Sequence, residues 1–484
     1  MLACGAIDVS SILALDILFG HHFAFNPACP FRFYLSIRFR LSHYHSCSVR
    51  VTDHSTDSCM AFRATSLLKA ARLGSRPYIS KFSSRKNIIK SMASSTPQAQ
   101  RKPCQDMQLT FLGTASAVPS PTRVQSSLAF RLGGDVWLFD CGEGTQSRLQ
   151  QSIVKMGRIE KIFITHTHGD HIFGLLPLLA GVLNGSGGTA DGEDEPRARI
   201  DVTNPAIEIY GPLGTRAYLR SGLRYTHTFF SRAFVVHELR LPWEPQNGDY
   251  TPLPCHSAES PHGRNIFPVN DVWENIYQDD IISVSAGPIL HSVPCVGYVI
   301  NEAPLPGKMD AQKYIPELKR TNTHISAMAR LQKGESVELG DGTVLHPPPR
   351  RRGRKIVILG DTHNPSGIES LALDADLLVH EATNAYLPQV DPGTKVEDTV
   401  KSVEQRTRSR GHSTPQMAGA FAKRIRAKQL ILNHFSSRYA GNDDVDPEAK
   451  AVMDAIAALA AQEFGKDVLC ARDLMSVTLD VPQS

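Results

Sequence analysis

Residues 161–171, KIFITHTHGDH, set four potential metal ligands directly after a short apolar run: His166, His168, Asp170 and His171. In an extended segment alternate side chains share one side, so His166 and His168 face together while Asp170 and His171 can turn toward a neighbouring position. Gly169 is expected to let the loop close around them. One strand end could therefore feed two metal sites. Imidazole nitrogens and carboxylate oxygens suit zinc, which in catalytic sites keeps one coordination position open for water. A lone HxH says little, but four later stretches repeat the pattern of apolar run followed by ligand. They are PILHS with His291, KIVILGDTH with Asp361, DLLVHEA with His380 and Glu381, and QLILNHF with His434. Sheet folds gather chemistry from distant positions in this way.

For a binuclear site, His166, His168 and His291 are assigned to one ion and Asp170, His171 and His434 to the other. Asp361 bridges, because a carboxylate offers two oxygens; a single catalytic zinc is the alternative arrangement. Two ions a few ångströms apart acidify a shared water and steady both the attacking and the leaving oxygen, which fits a phosphodiester. The leaving oxygen then needs a proton, and His412, read as lying at a helix start, is the candidate donor. A helix start disfavours imidazolium and a nearby carboxylate favours it; Glu381 is the carboxylate proposed to charge and orient the ring. Asp170 can also accept a proton from the attacking water, second to ligation. His380 is read as a supporting or core histidine, and Asp140 as part of a structural turn.

The elements that must position these residues follow from periodicity. MQLTFLGTASAV, SSLAFRL and DVWLFDCGEGTQSRL read as strands followed by a turn into a helix, and IFGLLPLLAGVL as a buried helix. AIEIYGPLGTRAYLRSGL reads as strand, glycine turn and helix. Ser413 or Thr414 can cap a helix with Pro415 in its first turn, and Asp446 before Pro447 signals the last one. Two strand-rich halves with helices outside each imply an α/β domain over residues 106–484, stacked helix, sheet, sheet, helix. Residues 184–204 and 242–280 are expected to be surface excursions without a chemical motif. Between His291 and Asp361 lie Lys308, Lys313, Lys319, Arg320, Arg330 and Lys333, then PPPRRRGRK. An extended basic arm over roughly 301–350, inserted in the domain, could hold the phosphates of a nucleic acid.

Composition narrows the class. A formal charge of +4 over 484 residues permits a polyanionic partner without requiring one. Nine cysteines occur without a CxxC pair, which argues against structural zinc ribbons and a disulfide scaffold. The apolar stretch Ile12 to Gly20 is interrupted by Asp16 and is too short to span a bilayer, so no stable membrane insertion is expected. Residues 1–105 read as a leader. From Ser58 to Gln105 it holds ten Lys or Arg and no acid, a composition that fits mitochondrial targeting. Products starting at Met60 or Met92 would instead be placed in cytoplasm or nucleus.

Taken jointly, FLGTASAVPSPTR, WLFDCGEGTQ, KIFITHTHGDHIFGLLPLL, YGPLG, HSVPCVGY, GDT, HEAT, HST and LILNHFSSRY resemble ribonuclease Z, the tRNA 3′-processing endoribonuclease of the metallo-β-lactamase superfamily. HxHxDH alone marks the superfamily; HEAT and HST narrow the match. The resemblance implies an αββα sandwich with a protruding basic arm. It also implies cleavage of a precursor tRNA's 3′ trailer after the discriminator nucleotide, leaving a tRNA 3′-hydroxyl and a trailer 5′-phosphate. His166, His168, Asp170, His171, His291, Asp361 and His434 correspond to the family's ligands for two zinc ions per subunit, with Mn2+ or another divalent ion as the alternative. His412 and Glu381 correspond to its proton-donating histidine and partner carboxylate. A single ligand set resembles the short form, which works as a homodimer whose arm holds tRNA for the partner's site; the family's Gly-Pro-rich arm tip is not evident in LKRTNTHISAMARL. The rival functions are a small-molecule phosphodiesterase, a glyoxalase-like metallohydrolase, or a noncatalytic RNA-binding protein.

Overall fold

Met107–Gly113 is buried at every position except Gln108, and Leu377–Glu381 is buried throughout. Strands this apolar need cover on both faces, which a layered α/β arrangement supplies. The computed structural model describes residues 106–184, 200–250 and 252–481. The expected leader over 1–105, with Met60 and Met92, and most of the 184–204 excursion lie outside the described residues.

Two sheets form the centre. The first has eight strands, in the order Ser476–Leu479, Met107–Gly113, Ser127–Leu132, Asp135–Phe139, Ile159–Phe163, Ile207–Pro212, Phe234–Leu239 and Asn265–Ile266. From Asp135–Phe139 onward its neighbours run parallel. The second has seven strands: Val468–Cys470, Gln429–Asn433, Leu377–Glu381, Lys355–Ile358, Cys295–Glu302, Ile282–Ile289 and Trp273–Gln278. Its first four are parallel and its last three are antiparallel. The inner faces meet in an aromatic-rich core. Phe139 stacks on Phe163 at 5.0 Å, Phe163 on Tyr210 at 5.0 Å, and Tyr298 of the second sheet meets the Phe163 ring edge-on at 5.3 Å.

Outside the first sheet, Leu175–Asn184 and Thr215–Tyr225 bury Leu175, Leu178, Leu179 and Leu219 against Ile162, Ile164 and Ile209. Outside the second, Pro415–Arg424 and Pro447–Phe464 bury Phe421, Met453 and Ile456 against Leu378, Leu430 and Leu432. Both carry the expected caps: Thr414 accepts from the Met417 N–H, and Asp446 from the Glu448 and Ala449 N–H groups. The four-layer sandwich is thus the one the strand and helix patterns imply. Among the described residues no helix is long and apolar enough to cross a membrane.

Three stretches differ from expectation. Residues 242–280 are more than a surface excursion: Asn265–Ile266 and Trp273–Gln278 are edge strands, one on each sheet, and Trp273 and Ile276 enter the core between the sheets. The sequence after the last helix adds Val468–Cys470 and Ser476–Leu479, the latter pairing antiparallel with Met107–Gly113. The segment after Glu302 is folded rather than extended. Its helices Ala311–Arg320 and Ala327–Gln332 and the Val337–Glu338 and Val344–Leu345 hairpin enclose an apolar cluster of their own, with Tyr314, Leu318, Leu331 and Val337. Much of the RRRGRK run is structural. The Arg354 guanidinium is buried on Glu302, Arg352 pairs with Asp376, and Lys355 Nζ donates to the Leu371 and Leu373 carbonyls. Burial demands a partner for Arg354, and the partners of all three cations leave few charges for a ligand. Lys308, Lys313, Lys319, Lys333 and Arg350 are exposed, as are Arg320, paired with Glu317 and Asp341, and Arg330, paired with Glu335.

Candidate metal centre

The strand directions put the chemistry on one edge. Asp140, His166, Asp361 and His434 each lie at or just beyond the carboxyl end of a parallel strand, and Glu381 is the last residue of its own. His291 follows Ile282–Ile289 at the same edge, because that strand reaches Lys355–Ile358 through one antiparallel neighbour on each side of Cys295–Glu302. Ligands of α/β sheets gather at such ends. Two of the turns are strained: Asp140 at φ 59° and His434 at φ 55° occupy the left-handed region, at a cost of roughly 1–3 kcal/mol each. That kink aims each side chain across the edge.

The sequence-assigned ligands come together in two groups. His168 Nδ1 lies 3.1 Å from His166 Nε2 and 3.2 Å from His291 Nε2. His171 Nε2 lies 3.1 Å from His434 Nε2, and Asp170 Oδ2 is 3.5 Å and 3.4 Å from those two nitrogens. Asp361, 2% exposed, stands between the groups. Its Oδ1 is 3.3 Å from both His171 and His434, and its Oδ2 is 3.8 Å from His166 and 3.9 Å from His291.

Hydrogen bonds behind the rings decide which nitrogens face inward. His171 Nδ1 donates to Asp140 Oδ2 at 2.7 Å, and His291 Nδ1 donates to the Gly411 carbonyl at 2.8 Å. The Thr165 hydroxyl donates to Asp140 Oδ2, so it accepts from His166 Nδ1 at 3.1 Å. The Thr383 hydroxyl donates to Glu381 Oε2 at 2.6 Å and accepts from His434 Nδ1 at 3.2 Å. The Nε2 lone pairs of His171 and His434 therefore face each other at 3.1 Å, and those of His166 and His291 face His168 Nδ1 at 3.1 and 3.2 Å, an arrangement that a cation between them makes favourable. A tetrahedron with Zn–N bonds of about 2.0–2.1 Å has edges of about 3.3–3.4 Å, so the donor set fits the ion. The local field agrees. Burial disfavours charge on His171, yet Asp361 and Asp140 hold its proton affinity well above the ordinary imidazole value. Burial likewise opposes ionisation of Asp361, and the His434, His171 and His166 rings hold its carboxyl well below the usual carboxylate range.

His412 sits beside this cluster. It occupies the link between Val400–Ser409 and Pro415–Arg424, two residues before the Thr414 cap, rather than a helix start. Its Nδ1 is 3.1 Å from Glu381 Oε1 and 3.7 Å from Asp361 Oδ2. Burial lowers its basicity, but Glu381, Asp361 and Asp170 outweigh that and raise it to about 9. The carboxylates thus win over burial. Its side chain is 16% exposed, against 2% for His291 and 4% for His434, so the far edge of the ring faces the open side.

The comparisons follow this geometry. The family model described as Anti-Pycsar protein Apyc1 matches residues 107–180, which carry the first four ligands. Over 398 residues the chain is 38% identical to the zinc phosphodiesterase ELAC protein 1 of Mus musculus, covering 78% of this chain and 99% of that protein. It is 36% identical to the ribonuclease Z of Nostoc punctiforme, covering 72% of this chain and 92% of that one. The ribonuclease Z of Bacillus subtilis is 32% identical, with 74% and 97% covered. The chain belongs to the ribonuclease Z family.

In this family member the positioning of the ligands rests on residues that the sequence pattern does not single out. Asp140, read as a turn, accepts from the Thr165 N–H at 2.7 Å as well as from the Thr165 hydroxyl and His171. It orients His171 and, through Thr165, His166. Its place at the end of the strand next to Ile159–Phe163 is the signal that could have revealed it. Thr383 plays the same part for His434, and the Ala117 N–H holds Asp170 Oδ2 at 2.7 Å. His380 is a core histidine: its Nδ1 donates to the Glu381 carbonyl and its ring packs edge-on against Phe421 at 5.9 Å, away from the cluster. Removing Asp140 frees both rings without removing a ligand. Asp140→Ala is therefore expected to weaken zinc binding by about 10- to 100-fold while the fold persists, as read by metal titration against a chelator.

Proposed function

We propose that this ribonuclease Z family member is a zinc-dependent endoribonuclease that removes the 3′ trailer of precursor tRNA. Water attacks phosphorus, leaving a 3′-hydroxyl on the tRNA and a 5′-phosphate on the trailer. The observation that carries the reading is the pair of donor groups joined by Asp361, with His412 held beside them. His166, His168 and His291 would hold one zinc ion and Asp170, His171 and His434 the other, with Asp361 between the two groups available to both. When bound, the pair supplies Lewis-acid stabilisation and makes water nucleophilic at neutral pH.

The chain's own residues do the rest. Glu381 Oε1 accepts from His412 Nδ1 and keeps the ring charged. The Nε2–H on the opposite edge is then available to protonate the leaving ribose oxygen. Asp170, whose carboxyl the His434 and His171 rings keep ionised against the effect of burial, can in addition take a proton from the attacking water. The folded lobe over 303–350 contributes exposed Lys308, Lys313, Lys319 and Lys333 to phosphate binding, and the working unit is a homodimer. The basic leader directs the full-length product to mitochondria, while starts at Met60 or Met92 serve cytoplasm or nucleus.

Incubating purified protein with an end-labelled, trailer-bearing tRNA tests the reading directly. Cleavage at the trailer junction that stops on chelation and returns with zinc is expected. Brisk turnover of small phosphodiesters or thioesters with no tRNA cleavage would overturn it. The proton donor adds a pH signature. A group that must be protonated loses activity as pH rises through its pKa, so the alkaline limb of kcat is expected near pH 9. Glu381→Gln removes the charge that sustains it and should bring that limb down toward the ordinary imidazole value of about 6.5. A limb that does not move would detach Glu381 from this role.

A further inference from the structure

The metal centre is ringed by exposed apolar side chains, and one of them is aromatic. Phe173, two residues after His171, is 57% exposed; Val118, next to the Ala117 that holds Asp170, is 61% exposed; Leu290, just before His291, is 52% exposed. Single exposed hydrophobic residues need no explanation. Two on ligand-bearing loops, with Val118 beside the residue that holds Asp170, mark a ligand with apolar faces next to the reacting phosphate.

The Phe173 ring is held from two sides. It lies over Gly169, between His168 and Asp170, so closely that a methyl group there would come within 2.2 Å of it. Gly169 has no left-handed backbone angle, so it is the room for this ring, rather than loop closure, that its missing side chain supplies. Tyr218 flanks the ring, its centroid offset by 6.3 Å with the ring planes 24° apart, and its hydroxyl reaches the Phe173 carbonyl. The ring is thus packed against the metal loop while the residue stays 57% exposed, which leaves ring surface open to solvent.

We propose that Phe173 is a stacking platform for the base of a nucleotide flanking the scissile phosphate. The inference rests on the endoribonuclease reading. Bases stack on aromatic rings irrespective of sequence, because each presents a π face. Such a platform at the rim of a phosphodiester site fixes the strand's register before attack.

The test uses the intact protein, wild type and Phe173→Ala, Phe173→Leu and Phe173→Trp, with trailer-bearing tRNA. Parallel substrates carry an abasic nucleotide either at the discriminator or at the first trailer position. Phe173→Ala and Phe173→Leu are expected to lose about 5- to 150-fold in kcat/KM, with zinc content unchanged and Phe173→Trp restoring cleavage. Leu keeps the apolar contact with Gly169 but has no π face, which separates stacking from loop packing. One of the two abasic substrates should slow wild type by a similar factor and slow Phe173→Ala no further; which one identifies the stacked base. Wild-type rates for Phe173→Ala and Phe173→Leu, or additive losses on both abasic substrates, overturn the platform alone. Failure of wild type to cut the intact substrate overturns the endoribonuclease reading and the platform with it.

Discussion

Asp361→Ala is expected to strip the protein of bound metal and to slow trailer cleavage by about 10³-fold or more. The side chain is buried, and each oxygen faces a different histidine group: Oδ1 at 3.3 Å from His171 and His434, Oδ2 at 3.8–3.9 Å from His166 and His291. Without it, Asp170 is the one carboxylate left among the residues assigned as ligands, beside five imidazoles. Lewis-acid stabilisation by a bound ion is worth several kcal/mol, and each 1.36 kcal/mol is a factor of ten in rate, which sets the expected scale. Elemental analysis of the purified variant and single-turnover cleavage check both halves. Because the inter-sheet and helix-packing cores do not contain Asp361, the far-ultraviolet dichroism should stay that of the wild type. A variant with full zinc content and full rate would remove Asp361 from the bridge.

His412→Ala should act differently, keeping its zinc and losing about 10²- to 10⁴-fold in the chemical step, the range that general acids contribute. The distinction is informative because His412 Nδ1 also lies close enough to His291 and Asp361, and to Glu381 and His434, to be a ligand atom. What argues for a proton donor is its bond to Glu381 at 3.1 Å and its partly open edge. A substrate whose bridging 3′ oxygen is replaced by sulfur leaves as a weakly basic thiolate and needs no proton. It should restore most of the lost rate in His412→Ala and none of it in Asp361→Ala. Loss of zinc from His412→Ala would place the ring among the ligands instead.

The candidate ligands were legible because they follow short apolar runs, four of them after one run and His291, Asp361 and His434 after one each, a local signal that strand propensity and alternation make visible. Phe163 to His166, Ile358 to Asp361 and Asn433 to His434 are short steps from a buried strand to a polar tip, and the same holds for Glu381. The helix caps at Thr414 and Asp446 and the four-layer order were legible for the same reason. The charges were read less well. Taken by itself, PPPRRRGRK is a basic surface, whereas in the fold Arg354 is consumed by Glu302, 52 residues away, and Arg352 by Asp376.

Residue types and spacing alone therefore pointed to a metal-binding hydrolytic centre on a sheet edge, and the seven side chains named for it gather there. Tertiary structure decided how that centre is tuned. Asp140 reaches His171 across 31 residues, Thr383 reaches His434 across 51, and Gly411 orients His291 across 120. Asn265–Ile266 and Trp273–Gln278 likewise are edge strands only through their pairing with Phe234–Leu239 and Ile282–Ile289. A strand's composition is set by the local need to be buried, but which hydrogen bond stands behind a ring depends on which strand lies next to it, and neighbours in a sheet are chosen by the packing of the whole core.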